Sequence, residues 1–363
     1  MFEYLAPNPY PVQGPSVFAW MPSFNFFSRT MAKNVLISLK RSPPSLAKIQ
    51  QDKIKVCAQY GVEIQSGKVY TYDGATLDTI EFIPHTLKQL PLNERKFIIK
   101  FKGQNGFYES TLDDFAHDAI SSNRVVIGFN YRGVGYSQKK PLIFQELVTD
   151  GIAQVQRLLA AGVNSENILL DSESLGGAIA TMVAFHFYEK KTPVYLFNSR
   201  SFSSLSLTAV EMQTPMLPTP IKYFLRRIIA SMGWEADVAA AYKQIDEKYK
   251  RYLVVAKPSE KSTGDTIIPH DCSLHRAVRE DEKTKQQLTG YKVLAQGVDN
   301  VGHKDKRDNL ILKNNRQETA QSMFLFFAST ASNNPCHQAV NSHDASSDTA
   351  TEFTPLYISS YSS

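Results

Sequence analysis

The chain has 363 residues, 42% of them hydrophobic and 21% charged, with a formal net charge of +5. That is enough apolar material for a sizeable core in one large or two ordinary domains. Three absences narrow the class: no apolar run nears the ~18–20 residues that span a bilayer, no dense basic stripe marks a nucleic-acid surface, and the three cysteines, Cys57, Cys272 and Cys336, are too few and too scattered for a disulfide framework.

In chain order, residues 1–23 are rich in proline and aromatics and read as irregular. They lack a basic n-region, so no secretory signal peptide is expected, and a soluble protein in a reducing compartment is. Residues 24–58 read as two helical pieces separated by Pro43 and Pro44. In the first, Phe24, Phe27, Met31, Val35 and Leu39 recur at three-to-four spacing. Residues 1–60 carry seven basic residues against two acidic ones. This N-terminal arm, 1–60, either packs on its own domain or lies on a membrane surface.

From Val62 the pattern turns to strands. Asp73-Gly74 is a hairpin signal between two β-prone runs. Lys96–Lys102 and Arg124–Tyr131 read as compact apolar strands, Phe144–Ala161 as a helix, and Pro193–Asn198, Tyr252–Ala256 and Tyr291–Gln296 as further strands. Strands spaced by helices predict an α/β fold, a mostly parallel central sheet covered on both faces. The stretch 200–250 is long for one crossover. With helices predicted over Ile221–Met232 and Ala236–Tyr249, it is either a small helical insertion resembling a cap or a lengthened crossover. Arg316–Ser329 reads as a closing helix of the domain 61–329, and residues 330–363, free of Lys and Arg, as a flexible Ser/Thr-rich tail.

One segment carries chemistry. Ile168–Met182 reads as a short apolar strand, a sharp turn at Ser172-Glu173-Ser174-Leu175-Gly176, and a helix of small residues that begins at Leu175. A serine on such a turn resembles the nucleophile elbow of the α/β-hydrolases, spelled Gly-x-Ser-x-Gly in that superfamily. Here Ser172 stands where the first Gly is expected, while Gly176 and Gly177 supply the small residues that let strand and helix approach. Two further turns extend the resemblance from about residue 65 to 328: Gly128–Ser137, similar to the Tyr-Arg-Gly turn after the fourth strand, and Asn198–Leu205, similar to the turn after the sixth. Their wording also resembles hydrolase-like proteins and secreted effectors of intracellular bacteria of the chlamydial and legionella types, which implies a protein translocated into a host cell.

The resemblance implies an α/β-hydrolase fold and a Ser-His-Asp triad in the order Ser, acid, His. Ser174 is then the nucleophile. Asp265, after the strand Tyr252–Ala256 and before an apolar pair and Pro269, is the acid. His303, after Gly302 on the loop beyond the last strand, is the base; His270 and His275 come too early. The oxyanion hole combines the backbone N–H of Leu175 with that of Gln104, or alternatively Asn105, in the loop opened by Gly103. No cofactor is implied. His270, Asp271, Cys272 and His275 cluster metal-ligand types, but without a second cluster they predict no metal site.

The expected activity is cleavage of a carboxylic ester or thioester, with a small-molecule or lipid acyl substrate, phospholipid or acyl-protein included. The basic, aromatic N-terminal arm and the apolar crossover residues Phe224, Ile228 and Trp234 point to a lipid or acyl-protein substrate. Two alternatives stay open: an effector of this fold that binds a host protein or membrane with little catalysis, and an acyltransferase using the same triad. No nucleic-acid partner is expected, and the oligomeric state is left open.

Overall fold

The computed structural model describes residues 2–7, 44–256, 265, 267–286, 288–295, 302–313 and 317–331. Among the described residues, ten strands form one sheet in the order β1-β2-β3-β5-β4-β6-β7-β8-β9-β10. The predicted hairpin is present. β2 (Val62–Tyr70) and β3 (Thr76–Pro84) pair antiparallel, and Gly74 takes the left-handed φ of +78° in the turn between them.

The centre of the sheet is parallel. β4 (Phe97–Phe101), β5 (Val125–Phe129), β6 (Ile168–Glu173), β7 (Tyr195–Ser199), β8 (Lys250–Val255) and β9 (Gly290–Ala295) run the same way, β5 and β6 flanking β4. Every residue of β4, β5 and β7 is buried, which is why these strands read as unbroken apolar runs rather than as alternations.

Helices cover both faces. α1 (Leu46–Tyr60) packs on α2 (Leu112–Ser122), which also meets α9 (Ala320–Thr330). On the other side α3 (Phe144–Ala160) packs on α4 (Leu175–Glu189), and α4 on the crossover helix α7 (Val238–Gln244), which meets α8 (Leu274–Lys285). The crossover from β7 to β8 also carries α5 (Leu205–Gln213) and α6 (Thr219–Ser231), packed on each other. α7 is shorter than the predicted helix because Asp237 caps its start, its side chain accepting from the Ala240 N–H, and a 3₁₀ turn at Glu247–Tyr249 leads into β8.

The structure corrects one reading, decides one alternative and adds one element. Residues 2–5 are not irregular: Phe2–Leu5 form β1, parallel to β2, with the Phe2 ring over Gly67, where a Cβ would come within 2.5 Å of it. The second helical piece of the arm is no separate unit, since α1 buries Ile49 and Val56 on the domain; the first piece lies outside the described residues, as do 332–363 of the tail. The sheet also ends on a short antiparallel strand that the sequence did not suggest, β10 (Leu310–Leu312), beside β9. Among the described residues, no helix is long and apolar enough to cross a membrane.

Candidate active site

β6 ends at Glu173 and α4 begins at Leu175, leaving Ser174 alone between them at φ +53°, ψ −122°. A non-glycine residue in that region is strained and holds only where its surroundings over-determine it. Here the Ser174 N–H donates to the Ser199 carbonyl of β7 (2.9 Å), and its carbonyl accepts from the Gly177 N–H (2.9 Å).

The small residues around it have distinct reasons. A Cβ on Gly176 would sit 2.1 Å from the Phe101 carbonyl oxygen, and one on Gly177 2.6 Å from Ser201 Cβ. A Cβ on Gly103 would meet Ser174 Cβ at 3.2 Å. Ser172, by contrast, has room for its hydroxyl, which donates to the Phe197 carbonyl at 3.0 Å. We expect Gly176→Ala to destabilise the fold by roughly 3 kcal/mol or more, since the clash is with backbone that cannot yield cheaply; chemical denaturation of both proteins measures it.

Asp265 and His303 are brought together. Asp265 Oδ2 lies 2.8 Å from His303 Nδ1, and Asp265 Oδ1 accepts from the N–H groups of Ile267 and Ile268, both at 2.9 Å. Both side chains are nearly buried. Ser174 and His303 line one cavity of about 520 Å³, together with Gly103, Gln104 and Asn105. No hydrogen bond joins Ser174 Oγ to the imidazole among the described residues. Leu175 is the first residue of α4, where backbone N–H groups lack intrahelical acceptors.

The surrounding charges escaped the sequence reading. Glu173, beside Ser174, pairs with Lys102 Nζ (2.7 Å) and approaches Arg200 (3.6 Å). Burial pushes its carboxyl up, but Lys102 and Arg200 outweigh that and hold it below the usual carboxylate range. Arg200, itself at φ +55°, also donates to the carbonyls of Gly302 (3.1 Å) and Asp305 (2.7 Å), which flank His303. One guanidinium therefore ties the Ser174 turn to the loop that carries His303.

Beneath lies a second network. Lys100 of β4 contacts both Asp118 of α2 and Asp171 of β6, and Arg307 reaches Asp171 (3.0 Å) and Asp118 (2.9 Å) from the far end of the histidine loop. A legible signal existed: Lys100 and Asp171 are charges inside two apolar strands and face each other in register.

The remaining predicted residues fall elsewhere. Asn130 in the Gly128–Ser137 turn binds Glu109 (3.0 Å) and the Tyr108 N–H (3.1 Å), and Arg132 is buried between Asp150 and Asp73 (both 2.7 Å), so this turn is structural support. His275 binds Tyr252, and among the described residues no group of three or more metal-ligating side chains is assembled. Trp234, read as an acyl contact, is instead fully buried, its Nε1 donating to the Leu142 carbonyl (2.9 Å). Phe224 and Ile228 are exposed on α6, and no described residue of 205–244 lines the cavity.

A parallel sheet with a strained serine turn at the carboxyl end of its central strand defines the α/β-hydrolase fold. Among solved structures, an α/β hydrolase from Vibrio vulnificus superposes with a TM-score of 0.53 at 14% identity, covering 81% of this chain and 94% of that one. The Pyrococcus furiosus esterase Pf2001 (TM-score 0.46, 14% identity, 65% and 83% covered) and a hyperthermophilic esterase from Pyrobaculum calidifontis (0.45, 13%, 86% and 97%) are looser matches. No family model and no curated protein sequence matches the chain.

Proposed function

We propose that the protein is a serine hydrolase that cleaves a carboxylic ester or thioester through an acyl-enzyme. The observation that carries this is the strained Ser174 in a cavity it shares with His303, whose Nδ1 is held by an anchored carboxylate, Asp265. Ser174 Oγ attacks the acyl carbon while His303 Nε2 takes its proton; Nδ1–H remains on Asp265 Oδ2, which fixes the tautomer. The oxyanion is received by the N–H groups of Leu175 and Gln104. His303 then passes the proton to the leaving group, and water, activated the same way, frees the acid and Ser174. The serine-to-histidine hydrogen bond forms with substrate present, as is common where the empty site is loose.

The cavity favours a short or polar acyl group over a long chain. Lys102, Asp114, Lys304 and Arg307 lie in its wall, and Phe101, Phe115 and Ile267 are the apolar side chains among its described lining. An acyltransferase would differ in using another acceptor in place of water.

A fluorophosphonate probe tests the reading. We expect wild-type protein to be labelled on Ser174 and Ser174→Ala to be unlabelled, with loss of hydrolysis of short acyl esters. Folded wild-type protein that resists the probe and hydrolyses no acyl ester would replace this reading with a binding module that lacks catalysis, and ester activity that survives in Ser174→Ala would remove Ser174 as the nucleophile.

A further inference from the structure

A second cavity, of about 380 Å³, opens at the other end of the sheet and shares no lining residue with the first. Its walls come from the start of β9 (Gly290–Lys292), the residue after the antiparallel β10 (Lys313), and α8. The triad residues, by contrast, follow the carboxyl ends of the parallel strands. We infer that this second cavity binds the phosphoryl group of a phosphate monoester.

Charge is the first argument. Arg279, Lys283, Lys292 and Lys313 line the cavity against one carboxylate, Glu282. That carboxylate is already used: it accepts from the Thr289 N–H (3.1 Å) and hydroxyl and lies 2.9 Å from the Tyr252 hydroxyl. Arg279 and Lys283 share an exposed Glu280 outside on the helix (3.1 and 3.2 Å). Lys292 and Lys313 have no ion-pair partner among the described residues. Lys292 is pushed below the ordinary lysine range, first by burial and then by repulsion from Arg279, Lys313 and Lys283. Cations gathered at such mutual cost are relieved by an anion, and a phosphoryl dianion offers three acceptor oxygens where a carboxylate offers two.

Construction is the second argument. Tyr252 forms the floor, 2.7 Å from His275 Nδ1, and a Cβ on Gly290 would come 2.1 Å from its ring. Burial first, then Lys292 and Arg279, bring the His275 pKa down to about 4, so the imidazole is neutral. The Tyr252 hydroxyl donates to Glu282 Oε2, which leaves His275 Nδ1–H to donate to the Tyr252 oxygen. Tyr291, Leu288 and Leu312 complete the wall and offer apolar surface to the organic part of an ester.

The test is calorimetric titration of the full chain with phenyl phosphate, inorganic phosphate, and phosphatidylcholine vesicles with and without phosphatidic acid. We expect saturable binding of phenyl phosphate, tighter than inorganic phosphate, weakened about tenfold by Lys292→Gln and again by Lys313→Gln. Neither lysine has an ion-pair partner among the described residues to lose, so folding is spared, and short-ester hydrolysis should be unchanged. The His275 pKa, read by NMR, should rise on binding as the anion offsets the cations. Phenyl phosphate binding with vesicles ignored assigns a soluble ester, and phosphatidic acid binding displaced by phenyl phosphate assigns a lipid headgroup; both sustain the proposal. No saturable binding of phenyl phosphate, or binding unchanged in the double variant, overturns it.

Discussion

Asp265→Asn is expected to lower kcat/KM on a short acyl ester by roughly 10⁴-fold, the scale seen when the triad acid is made neutral. The size follows from the local hydrogen bonds. Asp265 Oδ1 accepts from two backbone N–H groups, those of Ile267 and Ile268. An asparagine there must place its carbonyl oxygen toward those donors, because its NH₂ would oppose them. The NH₂ is then turned to His303 Nδ1, which must become the acceptor. The imidazole proton moves to Nε2, the nitrogen that has to receive the Ser174 proton. The variant should fold normally yet stay slow, and it should label sluggishly with a fluorophosphonate. Rates across pH with unfolding curves for both proteins check this; equal kcat/KM values would remove Asp265 from the mechanism.

Removing Lys100 should have the largest effect on stability. Lys100→Met is expected to cost about 3–5 kcal/mol, the range for breaking a buried ion pair from one side. Asp118 and Asp171, both nearly buried, would be left with Arg307 as their one cation among the described residues, with Gln321 Nε2 still donating to Asp118 (2.7 Å). In the wild type, burial pushes the Asp118 carboxyl up, but Lys100 and Arg307 outweigh it and hold its pKa down to about 2, below the ordinary 3.8. A folded-state pKa below the unfolded one contributes stability that is full above about pH 4 and lost as pH falls toward 2. With Lys100 gone the folded-state pKa rises toward the unfolded value, so less stability is lost on acidification and the deficit of the variant against wild type should narrow below about pH 4. Urea unfolding of both proteins between pH 3 and pH 7 measures this. Since Arg307 also holds the far end of the histidine loop, the variant should lose activity before it unfolds.

How far the sequence reached depended on how local each signal was. The elbow was legible because its strand, turn and small residues are contiguous, and Asp265 and His303 because chain order and strand context narrowed the choice. The glycine turn at 103 was legible for the same reason. Arg200 was not, because its importance lies in the carbonyls of Gly302 and Asp305, a hundred residues on, and no side-chain pattern advertises a carbonyl. β1 and β10 were missed because four and three residues are too few to show a period. α2 was readable in Leu112, Phe115, Ala116 and Ala119, all buried, but follows a turn-rich stretch that hid its start. Trp234 misled because apolar character does not say which side of a crossover a ring will face. Phe224 and Ile228, four residues apart on α6, are exposed, while Trp234, beyond its end, is buried.

The room around Ser172 has a consequence for recognising such chains. Its hydroxyl fits between β6 and β7 and finds the Phe197 carbonyl, so glycine is not sterically demanded two residues before Ser174. The demand falls on 176 and 177, where any Cβ would strike the loop after β4 or the turn after β7. A search pattern that insists on the earlier glycine passes over this protein. One that asks for a small residue, a strained serine and a glycine pair would retrieve it, with distant chains whose elbows have drifted the same way.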